Sequence, residues 1–474
     1  MIAPRFNIDL DVFRRYAGLS LPRHVSYPMP TAWHNVDGAQ ANAMLHQSAA
    51  RKPLAGLSLY LHIPFCAELC RYCGCTRVIV GKDSEKASRR AEEYVAALIS
   101  EIDQVVRMLG ADRVVRHVHW GGGSPTFLEE DVIRRIQRKI VESFEVAPDA
   151  EVAMEVDPRT APAPKLRALR EMGFNRLSLG VQDFNEQVQE HVRRIQPYEM
   201  VRETLETCRE LGFDSVNFDL IYGLPYQTVE TIRHTLEQVI ELSPDRVAYY
   251  HYAQIPDKIA SQRGLDYDKL PDSETKLQMF LLGAEMFESA GYEFIGLDHF
   301  SKPDELLTKA LKRGTLQRNF QGMTTGGGLD LIGLGSSSIG QLCDVGFLQN
   351  AHGVKDYIGY VNADKSPIVR GKRLTEDDRI RQAVIGDLYC TTEVHPKKIE
   401  AQCGIVFGDY FARELEIMKD LERDGLLTLD ADCTIRTTMP LGRVLMRTVA
   451  AVFDAYLDPD AYRIGSKNCY SANA

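Results

Sequence analysis

Residues 57–76 read LSLYLHIPFCAELCRYCGCT. The first seven form an apolar run of strand length stopped by Pro64, and Cys66, Cys70, Cys73 and Cys75 then fall within ten residues. The strand signature repeats downstream in RHVHW at 116–120, EVAMEV at 151–156, RLSLGV at 176–181, SVNFDLI at 215–221 and RVAYYHY at 246–252. Between these runs lie segments of helical character, roughly 85–109, 129–145, 162–172, 199–211 and 229–241, with another at 272–290. Six strands each followed by a helix predict an α/β fold in which crossover helices join parallel strands. An open doubly wound sheet and a curved barrel of about six strands both fit, and both place binding chemistry at the C-terminal strand ends. Those ends hold the cysteine loop, the triple glycine 121–123, Asp157 beside Glu155, Gln182 with Asp183, Asp219, and Ala253 with Gln254.

The chain has 474 residues, 44% apolar and 26% charged, which excludes a mainly disordered protein and leaves room for a large barrel with appendages. No apolar stretch is long enough for a transmembrane helix, so no stable membrane insertion is expected. Asp9 and Asp11 stand where a secretory signal needs an apolar core, and a cytoplasmic address is expected. A formal charge of −10 gives no general attraction to nucleic acid or anionic lipid. Residues 1–55, with LPRHVSYPMP at 21–30, read as an arm on a larger body, and 56–300 as the barrel. Residues 301–371 read as an extension, whose Gly-, Ser- and Thr-rich stretch 313–340 suits loops that cover a ligand. Residues 372–474 read as a mostly helical domain in which two short strands after helices resemble a winged helix. Because 361–474 carries 16 basic and 18 acidic side chains, a packing or lid role is expected there, with no nucleic-acid partner. The chain is expected to act as a monomer.

Six further cysteines are scattered at 208, 343, 390, 403, 433 and 469, and a cytosolic chain this large needs no disulfide framework. The four clustered ones therefore point to a metal. A loop with spacings of four, three and two residues can wrap an iron–sulfur cubane, and three thiolates leave one iron open to chemistry. A structural zinc is the competing assignment; against it, zinc sites usually pair two separated Cys-x2-Cys knuckles, and no second knuckle occurs.

The motif C-x3-C-x-Y-C at 66–73 resembles the signature of the radical S-adenosylmethionine superfamily. The longer blocks YLHIPFC, HWGGGSPT, EVDPR, NRLSLGVQDFN, DLIYGLP and NFQGMTT resemble the oxygen-independent coproporphyrinogen III dehydrogenase family, over roughly residues 10 to 460. The arm motif PRHVSYP and Cys75 extend the likeness beyond the shared barrel. The resemblance implies a partial (β/α)6 radical S-adenosylmethionine barrel, a [4Fe–4S] cluster on Cys66, Cys70 and Cys73, and two bound molecules of S-adenosylmethionine. It implies Tyr60, Gly122, Glu155 and Ile339 as contacts to the molecule at the cluster. Tyr72, Gly123, Ser124, Gln182, Arg194, Asp219 and Ala253 are implied contacts to the second. Cys75 and Tyr60 are implied to serve turnover.

The residue chemistry agrees in part. Glycines can turn bare backbone toward a charged ligand. The carboxylate of Glu155 can accept both hydroxyls of a ribose, the alternative being a structural contact to Arg159. Arg194 can pair with a methionyl carboxylate, and Asp219 with ribose hydroxyls or an ammonium group. Arg23 and Arg318 are local candidates for the carboxylates of a tetrapyrrole. Met323 stands where the family often has Tyr, and His24 and Val25 replace a common Tyr-Thr pair.

The implied reaction is radical removal of a hydrogen atom from each of two propionates of coproporphyrinogen III, with loss of carbon dioxide and one electron. The product is protoporphyrinogen IX, and an electron donor and a terminal acceptor are required partners. A haem chaperone or haem-modifying radical enzyme is the nearest alternative. An iron–sulfur DNA-binding regulator is a more distant one.

Overall fold

The computed structural model describes residues 8–50, 56–81, 85–110 and 113–457, the side chains of 85–87 excepted. Cys469 lies outside the described residues. The apolar runs form strands β1 (Leu57–Ile63), β2 (Val114–Gly122), β3 (Glu145–Val156), β4 (Arg176–Gln182), β5 (Ser215–Tyr222) and β6 (Arg246–His251). Each pairs in parallel with the next, as a partial barrel requires. β1 is buried along most of both faces, as expected of a parallel strand covered on each side.

The intervening segments form helices α1 (Glu85–Leu109), α2 (Glu130–Ser143), α3 (Ala163–Glu171), α4 (Tyr198–Glu210), α5 (Val229–Leu242) and α6 (Ser273–Ser289). In α2, Val132, Ile133, Ile136 and Ile140 share a buried stripe, while Arg135 and Lys139 reach Glu92 at 2.6 Å and Asp103 at 2.5 Å on α1. This basic face is thus engaged with the neighbouring helix. The side chains of Thr228 and Asp272 accept the N–H groups of Thr231 and Thr275, capping α5 and α6.

The barrel sheet continues beyond its six expected strands. At one edge β6 pairs antiparallel with His299–Ser301, which pairs with Glu293–Gly296. At the other, Asp330–Leu334 lies parallel to β1, with Gly333 opposite Tyr60, and antiparallel strands Ile339–Leu342, Gly346–Asn350 and Ile368–Arg373 follow. Within 313–340, whose composition suits ligand-covering loops, Asp330–Leu334 is a seventh parallel strand that the surrounding glycines hide. Gly333 has a packing reason: a Cβ there would stand 2.7 Å from the Ile339 carbonyl carbon.

The barrel core lies on the helix-facing side of this sheet, on Leu59, Leu61, Trp120, Met154, Leu179 and Phe218, and includes Ala41, Met44 and Leu45 of helix Gly38–Ala50, while the alternate strand residues face the barrel interior. A second core joins the C-terminal helices and strands to Phe13, Tyr16, Leu21 and Tyr27, so the N-terminal segment packs into the C-terminal region. His24, buried with φ of 42°, lies 3.0 Å from Asp454 and 3.3 Å from the Tyr389 hydroxyl. It fastens the arm to that region. The C-terminal part is mostly helical, with Glu393–Val394, Ile435–Thr437 and Leu427–Leu429 forming a small antiparallel sheet. Among the described residues no helix is long and apolar enough to cross a membrane.

Candidate active site

β1 leads through Pro64 into the cysteine loop. The loop is closed at its base by a short parallel ladder that pairs Phe65 with Val78 and Cys66 with Ile79. Across the barrel mouth, Arg71 donates to the His191 carbonyl at 2.9 Å, Gln262 to that of Tyr72 at 3.0 Å, and Ser261 to that of Cys73 at 3.3 Å. Arg77 spans Cys75 O at 2.8 Å and Ser261 Oγ at 2.7 Å. These bonds fix the backbone from both ends, and all four cysteines line one cavity of about 450 Å³ in the barrel.

Positive charge surrounds the sulfurs. Cys70 Sγ lies 3.7 Å from Arg194 and 3.9 Å from Arg159. Neighbouring Cys75 and Arg77 hold the Cys73 thiol below its ordinary value against its burial, whereas burial pushes Cys66 up to about 12. Among the described residues no group of three or more His, Cys, Asp or Glu side chains is gathered to hold a single metal ion. Thiols spread around a loop, with cations behind them, fit a multi-iron cluster better than the competing zinc.

The neighbouring strand ends face the same space. Gly122 has a φ of 112°, and a Cβ on it would stand 2.6 Å from the His62 ring. The Gly122 N–H donates to Glu155 Oε2 at 3.0 Å, and His119 Nε2 lies 3.3 Å from Oε1. Burial pushes the Glu155 carboxyl up, but these partners and His62 hold it below its ordinary value. The structural alternative for Glu155, a contact to Arg159, is not what the fold builds. Arg159 instead reaches Asp157 at 2.7 Å and Glu68 at 2.9 Å.

Tyr60 stands beside His119, stacked with 5.9 Å between ring centroids. His62 Nε2 lies 3.0 Å from the Thr76 carbonyl, which can only accept, so Nδ1 accepts from the Tyr60 hydroxyl at 3.2 Å. Arg194 is buried between the Gly180 carbonyl at 2.7 Å and Asp157 at 3.1 Å. Burial raises the Asp157 carboxyl, and Arg194 with Arg159 outweigh it, leaving it at about 2. Asp219 accepts from Ser178 at 2.8 Å and Asn217 at 2.9 Å, and burial leaves its carboxyl up at about 6. Gln182, with φ of 68°, Tyr72, Gly123 and Ser124 complete the expected residues on this cavity.

Three expected contacts are not part of this cavity's lining: Tyr60, stacked on His119, Ala253 and Ile339. Ala253 lines a smaller neighbouring cavity, and Ile339 packs with Trp33 and Phe347. Asp183 is structural, accepting from Thr235 at 2.8 Å and from Gln227. Met323 is buried and borders the main cavity, with Ile295 and Leu316 in its cluster. His62, His119 and Arg77 are unanticipated participants, and Asp157, noted in the sequence only for its strand-end position, acts as the partner of Arg194 and Arg159. The alternation His117, His119 along β2, which places both on the cavity, was the available signal for His119.

A family model for the radical SAM superfamily matches residues 60–239. An oxygen-independent coproporphyrinogen III oxidase of Pseudomonas aeruginosa is 42% identical over 456 residues, 95% of this chain and 96% of the relative. Its counterpart in Escherichia coli is 41% identical over 457 residues, covering 96% and 97%. The solved coproporphyrinogen III oxidase of Escherichia coli, described as a radical SAM enzyme, superposes with a TM-score of 0.87 at 39% identity, covering 96% of this chain and all of that one. Members of the superfamily employ a [4Fe–4S] cluster and S-adenosylmethionine, and the cysteine loop and strand ends suit both. A barrel with this loop, matched end to end by these enzymes, places the chain in the oxygen-independent coproporphyrinogen III oxidase family of radical SAM enzymes.

Proposed function

We propose that the chain converts coproporphyrinogen III to protoporphyrinogen IX without oxygen. Each of two propionates loses a hydrogen atom, carbon dioxide and one electron and becomes a vinyl group. The observation that supports this best is the meeting of the cysteine loop, the glycine turn and two strand-end carboxylates on one cavity, in a chain alike over its length to oxidases of this substrate.

Cys66, Cys70 and Cys73 hold the cluster, with Arg77, Arg159 and Arg194 offsetting the charge of their thiolates. When bound, the cluster and two molecules of S-adenosylmethionine supply a radical able to remove an unactivated hydrogen atom. Glu155, kept ionised by His119 and the Gly122 amide, accepts ribose hydroxyls, and Tyr60 holds His119 against it. Gly123, Ser124, Gln182, Arg194, Asp219 and Tyr72 bind the second molecule. Cys75, which no cluster iron requires, faces the cavity and serves turnover. The chain acts as a cytoplasmic monomer and draws on an electron donor and a terminal acceptor. Anaerobic turnover of coproporphyrinogen III, with mass analysis of the tetrapyrrole, tests the assignment.

A further inference from the structure

A second cavity, of about 60 Å³, lies where the ends of β5 and β6 meet α6 and the C-terminal region. Four cations line it: Arg23 from the N-terminal arm, Lys276 from α6, and Arg443 and Arg447 from the C-terminal helices. Asp298 is the one carboxylate among the lining residues, and it is engaged by Arg23. Arg447 donates to the Leu21 carbonyl, and the Arg443 guanidinium lies 4.8 Å from the ring centroid of Phe294. The buried Nε of Arg443 and Nε2 of His251 have no hydrogen-bond partner among the described residues. Asp272 and Glu288 act on Lys276 and Arg443 from beyond the lining.

Positive charge in so small a space is costly unless an anion shares it. Burial accordingly pushes all four cations below their ordinary pKa range. Arg23 also stands against a wall residue of the main cavity. Its guanidinium lies 5.7 Å from the ring centroid of Tyr250, which lines the main cavity. Arg318, 5.4 Å from the Tyr389 ring centroid, adds its charge on the same side.

We infer that this second cavity seats a propionate arm of the tetrapyrrole, one that the product retains, while the ring under reaction lies in the main cavity. The inference rests on the decarboxylation proposed above. The space admits a carboxylate and its adjoining methylene but no ring. Guanidinium and ammonium donors supply charge-assisted bonds to the carboxylate, and Leu277 and Phe280 in the wall suit the methylenes. Anchoring a retained arm would orient the macrocycle toward the radical.

The test is equilibrium titration of the cluster-loaded protein with coproporphyrin III, the oxidised form of the substrate, and with its tetramethyl ester. Lys276→Met and Arg443→Met should each weaken coproporphyrin III binding about tenfold. Lys276→Arg should retain it, and the ester should bind the two Met variants as it binds the unsubstituted chain. Unchanged affinity for coproporphyrin III in both Met variants would overturn the inference, as would an equal loss for the ester, which marks lost packing rather than lost charge pairing. Titration requires no turnover, so failure of the unsubstituted chain to convert coproporphyrinogen III would count against the proposed reaction alone.

Discussion

The carboxylate of Glu155 accepts the backbone N–H of Gly122 at 3.0 Å, tying the end of β3 to the glycine turn that ends β2. Two neighbouring strand ends are thereby locked into one surface, with His119 and Tyr60 stacked behind it. The carboxylate is already oriented before any ligand arrives, so little ordering remains to be done on binding.

Glu155→Ala removes both this tie and the proposed ribose acceptor. S-adenosylmethionine binding should weaken about tenfold to a hundredfold, the range for a hydrogen bond to a charged group. Equilibrium binding to the anaerobically reconstituted protein measures it, and unchanged affinity would remove Glu155 from the site.

Gly121 offers a milder probe of the same surface, because a Cβ there would come within 2.6 Å of Glu155 Oε1. The carboxylate end can swing aside more readily than backbone can. Gly121→Ala should therefore reduce S-adenosylmethionine affinity severalfold while leaving the thermal midpoint within a few degrees of the parent. A large fall in the midpoint with affinity intact would show that the position matters for folding instead.

The cysteines should separate into two classes. Replacing Cys66, Cys70 or Cys73 with Ala should abolish the assembled cluster, whereas Cys75→Ala should keep most of it and impair turnover. Iron and sulfide analysis with electron paramagnetic resonance distinguishes these outcomes. Cluster loss in Cys75→Ala with retention in Cys73→Ala would reverse the assignment.

Asp219 carries a pH signature. Burial outweighs the Ser178 and Asn217 hydrogen bonds and leaves its carboxyl at about 6, and the ionised form is the acceptor proposed for the ligand. Below that pH the proton must first be lost, so affinity should rise about tenfold per unit toward pH 6 and level off above it. In Asp219→Asn this step should vanish. The same step persisting in the variant would assign it to another group.

Much of this architecture was legible in the chain. LSLYLHI coincides with β1 and 85–109 with α1, because a strand buried on both faces and a long amphipathic helix each leave a strong local pattern. Asp330–Leu334 was hidden by its glycine-rich surroundings, and Gly333 is explained only by the backbone of Ile339 against it. In the site, residues at strand ends could be anticipated from the parallel fold. The pairing of Asp157 with Arg194, or of Arg23 with Asp298, joins separate loops and leaves no periodic signal. The helices and short strands of the C-terminal region were legible, but their packing with Phe13 and Tyr27 from the arm is a tertiary fact.

Whether the chain decarboxylates coproporphyrinogen III is decided by mass analysis of the tetrapyrrole. Under strict anaerobiosis, the reduced and reconstituted protein should be given S-adenosylmethionine, coproporphyrinogen III and an electron acceptor. It should yield first a tricarboxylate and then a dicarboxylate, each step removing the elements of formic acid. A protein that cleaves S-adenosylmethionine under these conditions yet leaves all four propionates in place, or transfers or methylates haem instead, would contradict the account.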